Sequence, residues 1–254
     1  MKRKISAAII TRNEERNIER CLKSIDWVDE IVVVDSGSTD GTLEICDKHG
    51  CRIIRSEWLG FGPTKQLAVD SVSNDWVLSI DADEEVTPEL AREIQKMLAQ
   101  EEIKAGYKIR RPSMYLGKWI KHSGWNKQYK PRLFDRKRGR FTDTVVHETV
   151  RIEGELGRLE HPLKHYTYPD LATVRSKMES YAEWGVQALD QKGIRPSRLK
   201  AYTHSAWTFV RTYVLSAGFL DGHIGLLLAK NRAYVVYLKY IRHWRKHRDG
   251  GENT

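Results

Sequence analysis

A mostly parallel, doubly wound α/β sheet followed by a helical, basic C-terminal extension is the fold class that this chain of 254 residues predicts. Three observations lead there. Strand-like and helix-like stretches alternate four times within the first hundred residues, the pattern of a parallel sheet with helices on its faces. Carboxylates stand repeatedly just after the strand-like runs. Beyond residue 100 the chain turns basic, with 30 Lys+Arg against 15 Asp+Glu, and from about residue 170 the pattern becomes helical.

The elements can be justified in order. Lys4 to Ile10 (KISAAII) reads as a first buried strand, and a helix opens at Asn13-Glu14-Glu15. Ile18, Cys21, Leu22 and Ile25 fall at i, i+3, i+4 and i+7, one apolar helix face. Ile31 to Val34 is nearly all β-branched, as suits a strand covered on both faces. Asp35-Ser36-Gly37-Ser38 is a turn, and Thr39 or Asp40 can cap the next helix, which runs through Leu43, Ile45 and Cys46. CRIIRS is a third strand. GFGPTKQLAVDSV is a loop in which a helix opens after Pro63. DWVLSI is a fourth strand with Asp81 at its carboxyl end. Ligands of parallel sheets lie at those ends, so Asp35, Asp40, Asp81 and Asp83 should converge on one crevice. Beyond residue 100 short strands follow (AGYKIRRPSMYLGKWIKHSGW, KPRLFDRKRGRFTDTVVHETV, GRLEHPLKHYTY), then three helical stretches with DQKGIRPS, 190–197, as a candidate hinge. The predicted organisation is 1–100, 101–169 and a helical basic extension, 170–254.

Composition narrows the function classes. Hydrophobic residues make up 40%, which excludes disorder. Cys21, Cys46 and Cys51 are too few and too irregular for a disulfide framework or a zinc site, and free thiols in a reducing compartment are expected. No secretory signal is visible, and no apolar run is long enough for a spanning helix. The net charge of +9 is unevenly spread: residues 1–100 hold 13 Lys+Arg against 19 Asp+Glu, and residues 104–140 hold 13 basic residues and one acid, Asp135. A basic face of that kind needs an anionic neighbour: phosphate, nucleic acid or a membrane surface.

The chemistry concentrates in VLSIDADEEVTPEL. Asp81 and Asp83 close a buried strand, where one carboxylate can reach a divalent cation and the other a hydroxyl; Mg²⁺ binds through one or two carboxylates plus substrate phosphates. The plainer reading is an acidic helix N-terminus, and it is the one assigned to Glu84 and Glu85. In DSGSTDGT, Asp35 can accept hydrogen bonds from a ribose or base, while Asp40 can equally be a helix cap. Neither GxGxxG nor GxxxxGK[ST] occurs, so neither the usual dinucleotide fingerprint nor a P-loop is present.

The ordered set AAIITRNEERNIERCLKSI, EIVVVDSGSTDGT and DWVLSIDADEEVTPEL resembles the nucleotide-sugar-binding half of family 2 glycosyltransferases, inverting enzymes of the GT-A fold that use a divalent metal and a nucleotide-diphosphate sugar. The resemblance is close over about residues 5–90. It implies nucleotide contacts for Thr11 and Glu14, a base contact for Asp35, a place near base and diphosphate for Lys65 in its loop, a ribose- or metal-side carboxylate at Asp81, and the metal ligand at Asp83, with Mg²⁺ or Mn²⁺ as cofactor. PRLFDRKRGRFTDTVVHETV and GFLDGHIGLLLA are similar to a subset that includes lipopolysaccharide core heptose β-1,4-glucosyltransferases. Inverting transfer needs a base for the acceptor hydroxyl; Glu148 is the first choice and Asp143 the second. His147 could bind the metal or a phosphate. Arg132 is assigned to the diphosphate or the acceptor loop, and otherwise reads as a solvated residue of a basic stretch.

Trp119 and Trp125 interleave with Lys118, Lys121, His122 and Lys127, a mix that suits sugar rings and phosphates, single-stranded nucleic acid, or simply a core. In the tail, Ala206, Phe209, Val210, Tyr213, Val214 and Ala217 form an apolar stripe, and Lys239 to Arg248 holds five Lys/Arg and no acid. Such helices fit the anionic inner face of a cell membrane, a partner chain in a homo-oligomer, or the catalytic domain itself. The expected activity is transfer of a hexose, glucose foremost, from a UDP-sugar to a phosphorylated lipid-linked saccharide of the lipopolysaccharide inner core, by a cytoplasmic protein attached peripherally to the membrane. Another glycolipid or polysaccharide acceptor is the alternative. A nucleic-acid-binding module is the rival of a different class, and intact Asp81 and Asp83 speak against it, because unneutralised carboxylates repel phosphates.

Overall fold

The computed structural model describes residues 3–125, 128–142 and 149–249. The chain forms two compact units. The first comprises residues 1–112 and 127–166, the second residues 113–126 and 167–254. The helical extension therefore belongs with the short segment 113–126.

In chain order the elements are β1 (Ile5–Thr11), α1 (Glu15–Ser24), β2 (Glu30–Asp35), α2 (Thr42–Lys48), β3 (Arg52–Arg55), α3 (Phe61–Ser71), β4 (Trp76–Asp81), β5 (Glu84–Val86), α4 (Pro88–Leu98), β6 (Gly106–Arg110), β7 (Ser113–Tyr115), β8 (Lys118–Trp119), β9 (Tyr129–Asp135), β10 (Gly139–Phe141), β11 (Val150–Ile152), β12 (Leu156–Arg158), β13 (Leu163–Tyr168), α5 (Leu171–Gln191), α6 (Arg198–Val210) and α7 (Gly222–Asp249).

The first unit is built on a seven-stranded sheet in the order β12-β6-β9-β4-β1-β2-β3. The four strands expected from sequence are present and parallel: β1 pairs with β2 and β4, and β2 with β3. β9 enters antiparallel between β4 and β6. Alternation along the strands divides two cores. Ile5, Ala7 and Ile9, with Leu78 and Ile80, face Ile18, Cys21 and Leu22 of α1 and Leu90, Ile94 and Leu98 of α4. Ala8, Val32, Val34 and Val77 face Ala68 and Val69 of α3 and the β10–β11 hairpin. Both faces are covered, which is why β2 is apolar from Ile31 to Val34.

Two local expectations need correction. Glu84 and Glu85 are not the first turn of a helix. They form β5, which pairs antiparallel with the start of β13. The helix begins at Pro88, with Thr87 as its cap accepting from the Leu90 amide at 3.2 Å and Glu89 as the first-turn acid; proline suits the first helical position because the N–H it lacks would be unpaired there. Lys65 is not in a loop. α3 starts at Phe61, and Pro63 sits in its first turn, where a missing N–H is tolerated.

In the second unit β7 and β8 form a hairpin. Tyr115, Ile120, Val174, Ile224 and Leu228 make its core, with Trp125 and Tyr168 packed against it. α5 is capped by Asp170, whose carboxylate accepts from the Thr173 amide at 2.7 Å. α6 runs on through a wide helical turn, 211–215, before the chain bends by 71° into α7. The bend uses close backbone approach: a Cβ on Gly225 would lie 1.9 Å from the Gly218 carbonyl oxygen. Around it Trp207, Val214, Leu215, Phe219 and Leu220 are each more than half exposed. No single helix among the described residues is long and apolar enough to cross a membrane.

Candidate active site

The carboxyl ends of β1, β2 and β4 collect the polar residues. Thr11 and Asp35 are register partners at the ends of β1 and β2. Asp35 is buried and turned back on its own loop: Oδ1 accepts from the amides of Gly37 and Ser38 at 3.0 Å, and Oδ2 from the Ser38 hydroxyl. The positive φ of Gly37, 88°, permits this turn. Asp40 ties two helix starts together, accepting from the Thr42 amide at 3.1 Å and the Glu15 amide at 3.2 Å. Glu14 precedes α1, its amide donating to Thr42 Oγ1 and its carboxylate accepting from Asn17 Nδ2. The loop after β1 and the loop after β2 are thus laced into one rim.

Two hydroxyls in this rim, Thr11 Oγ1 and Ser36 Oγ, are buried and have no hydrogen-bond partner among the described residues. Leaving such a group unmatched costs about 1–3 kcal/mol. They stand side by side at two parallel strand ends, each oxygen closed off from solvent.

Asp81 lies at the centre of an ion-pair cluster. Its Oδ1 is 2.7 Å from Lys65 Nζ; its Oδ2 is 2.5 Å from Arg132 Nη2 and 3.3 Å from Arg111 Nη2. Glu84, fully buried, holds Arg132 at 2.9 Å, pairs with Arg111 Nε, and accepts from the Asp81 amide at 2.9 Å. Burial pushes the Asp81 carboxyl up, and Arg132, Lys65 and Arg111 together hold it well below the usual carboxylate range. Burial alone would lower Arg132, and Asp81 and Glu84 raise it. Arg132 is therefore not a solvated residue of a basic stretch: it is 6% exposed and already bound to two carboxylates. These five side chains carry three positive charges against two negative ones, a surplus suited to an incoming polyanion.

Asp83 points elsewhere. Its Oδ2 is 3.2 Å from Nε2 of His165, which sits on the buried face of β13. The Tyr166 amide donates to the Asp83 carbonyl at 2.9 Å. Glu85, next along β5, is held by Lys164 at 3.0 Å and by the Tyr166 hydroxyl. Burial and the Glu85 carboxylate push the Tyr166 hydroxyl up to about 12. The two acids of Asp81-Ala82-Asp83 are thus separated by their surroundings: one is matched by three cations, the other faces an imidazole.

The structure brings together Thr11, Glu14, Asp35, Lys65, Asp81, Asp83 and Arg132 in the first unit. Asp143, His147 and Glu148 lie outside the described residues. Trp125 belongs to the second unit, where it stacks on Tyr168 with ring centroids 5.8 Å apart and meets the edge of Tyr115 at 5.9 Å. Sequence reasoning missed Glu84, Arg111 and His165. Each had only a faint signal: Glu84 hid in an acidic run, Arg111 in a basic one, and His165 at an alternate, inward position of LKHYTY.

Fold and site define a doubly wound α/β protein whose charged cluster gathers at the carboxyl ends of a mostly parallel sheet. The sequence profile of Glycosyl transferase family 2 matches residues 6–153. The chain belongs to this family and is a glycosyltransferase of GT-A fold. An uncharacterized glycosyltransferase of Rickettsia typhi is 31% identical, over 94% of this chain and 86% of its own length. The lipopolysaccharide core biosynthesis glycosyltransferase LpsC of Rhizobium meliloti is 27% identical, over 96% of this chain and 93% of its own. The solved structure of S. aureus TarS 1-349 is similar at a TM-score of 0.50, covering 97% of this chain and 92% of that one; at 14% identity it shows the fold alone.

Proposed function

We propose that this glycosyltransferase moves a hexose from a UDP-sugar, with inversion, to a phosphorylated lipid-linked saccharide of the lipopolysaccharide inner core. The observation that carries the reading is the split between Asp81 and Asp83. An acid pair at a strand end with one member neutralised internally and the other turned to a histidine suits a site that receives a cation together with a diphosphate. The likeness to LpsC over nearly the whole of both chains supports the acceptor class.

Asp83 would hold a divalent cation, Mg²⁺ or Mn²⁺, through its carboxylate, and His165 Nε2, 3.2 Å from Asp83 Oδ2, would orient that carboxylate. Such an ion would neutralise the leaving diphosphate. Lys65, Arg111 and Arg132 provide the remaining positive field and keep Asp81 ionised. Thr11, Glu14 and Asp35 build the rim assigned to the nucleoside. Glu148, with Asp143 as second choice, takes the proton of the acceptor hydroxyl as the glycosidic bond forms. The exposed apolar residues around the bend before α7 and the basic end of that helix favour work at the anionic inner face of the cell membrane, where a lipid-linked acceptor resides.

The test is metal-dependent UDP release. Asp83→Ala should lower it by about a hundredfold or more, with an unchanged circular dichroism spectrum. Unchanged turnover would remove the cation from Asp83. A thermal-shift panel of UDP-, GDP- and ADP-sugars with Mn²⁺ identifies the donor, since only a ligand of the native state raises its melting temperature.

A further inference from the structure

Three side chains in the second unit converge without any part in the transfer reaction. Asp190 lies near the end of α5; His243 and His247 lie one turn apart on α7. Residues four apart on a helix share a face, and here both imidazoles turn to the same carboxylate oxygen. His243 Nε2 is 3.1 Å from Asp190 Oδ1, and His247 Nε2 is 2.7 Å from it. One ligand atom from each of the three residues lies within 4.8 Å of the others.

The spacing matches a known geometry. In a tetrahedral zinc site with bonds of about 2.0–2.1 Å, neighbouring ligand atoms stand about 3.3 Å apart. Two imidazoles and a carboxylate make a three-ligand set that leaves a fourth position for water, and imidazole ligands favour zinc and its neighbours over magnesium or calcium. The surroundings are supportive. His243 is 1% exposed, so its ring is held inside the packing of the unit. Its Nδ1 is buried with no partner among the described residues, and the proton that Nε2 donates to Asp190 Oδ1 would be released when a metal binds. Lys246 Nζ holds the other Asp190 oxygen, Oδ2, at 2.7 Å and thereby directs Oδ1 to the histidines. His247 is 47% exposed and opens the cluster to water on one side.

We propose that Asp190, His243 and His247 form a transition-metal site of the zinc class that pins the end of α5 to α7. This site is separate from the cation of the transfer reaction, and it gives the basic end of α7 a fixed footing on its neighbour.

The experiment titrates Co²⁺, then Zn²⁺, into the full chain after treatment with a chelator. The wild-type chain should show the visible absorption band of tetrahedral Co²⁺ at one ion per chain, displaced by Zn²⁺ and not by Mg²⁺. His247→Ala and Asp190→Asn should each weaken binding beyond the ~10–100-fold typical of losing an outer-shell partner. Zn²⁺ should raise the melting temperature of the wild type and not of His247→Ala. His247 is surface-exposed, so its substitution should leave the fold and UDP-sugar turnover unchanged. The proposal is overturned if both variants bind as the wild type does, which would place the ion on others of the nine histidines, or if no tetrahedral band forms.

Discussion

Glu84 joins two guanidinium groups and a backbone amide, and its removal would leave Arg111 and Arg132 facing Asp81 alone. Breaking a buried ion pair from one side costs about 3–5 kcal/mol, because the remaining charge stays desolvated. Glu84→Gln should therefore lower unfolding stability in urea by about that amount. A loss below about 1 kcal/mol, the size of an ordinary substitution, would show that Asp81 balances both arginines by itself. The same residue marks the limit of sequence reading. Its partners lie 27 and 48 positions further along, on β6's outgoing end and on β9. Nothing local distinguishes Glu84 from Glu85 or Glu89. Asp81 and Asp83 were legible because they follow a recognisable buried strand, whereas the cations that tell them apart arrive only with the sheet.

At the scale of elements, GFLDGHIGLLLA proves to be a joint. Asp221 is buried, and its carboxylate accepts from the amides of Lys121 at 3.1 Å and His122 at 3.0 Å and from Ser123 Oγ at 3.2 Å. Its carbonyl oxygen accepts from Lys118 Nζ at 2.9 Å. The segment held this way includes Ser123, whose φ is 59°, an uncommon value for a residue with a side chain. Asp221→Ala would strip three donors of a charged partner, each such bond contributing about 1.5–3 kcal/mol. Hydrogen exchange at the amides of Lys121 and His122 should then rise at least tenfold while helix α5 stays protected. Unchanged exchange at those amides would show that backbone turns alone hold the segment. The strands and helices of the first hundred residues followed from periodicity; this joint did not, because it links residues about a hundred positions apart through one carboxylate.

For the whole molecule, acid stability offers a direct measure. Glu30 starts β2 and is held by Ser6 Oγ at 2.6 Å, Ser73 N at 2.7 Å, Ser73 Oγ at 2.9 Å and Arg52 at 2.9 Å. Burial pushes its carboxyl up, and these bonds more than reverse the effect, taking it from 4.5 to about 2. A carboxyl lowered in the folded state stabilises it above the unfolded value and ceases to do so as pH falls. Its contribution, on the order of 3 kcal/mol, should thus be complete above pH 4.5 and vanish towards pH 2. Glu30→Gln should flatten the melting temperature in that window; an unaltered profile would assign the acid transition to other groups. The architecture itself was largely readable, since alternating strands and helices encode a wound sheet. The insertion of β9 beside β4, and the grouping of residues 113–126 with the helices, depend on long-range pairing that no short window records. The two unmatched hydroxyls of Thr11 and Ser36 carry a last implication for the folded chain as a whole. Sealed from water and met by nothing among the described residues, each subtracts from stability at the very edge where the strands end. The rim therefore holds a local weakness that the packed strands beneath it have to offset.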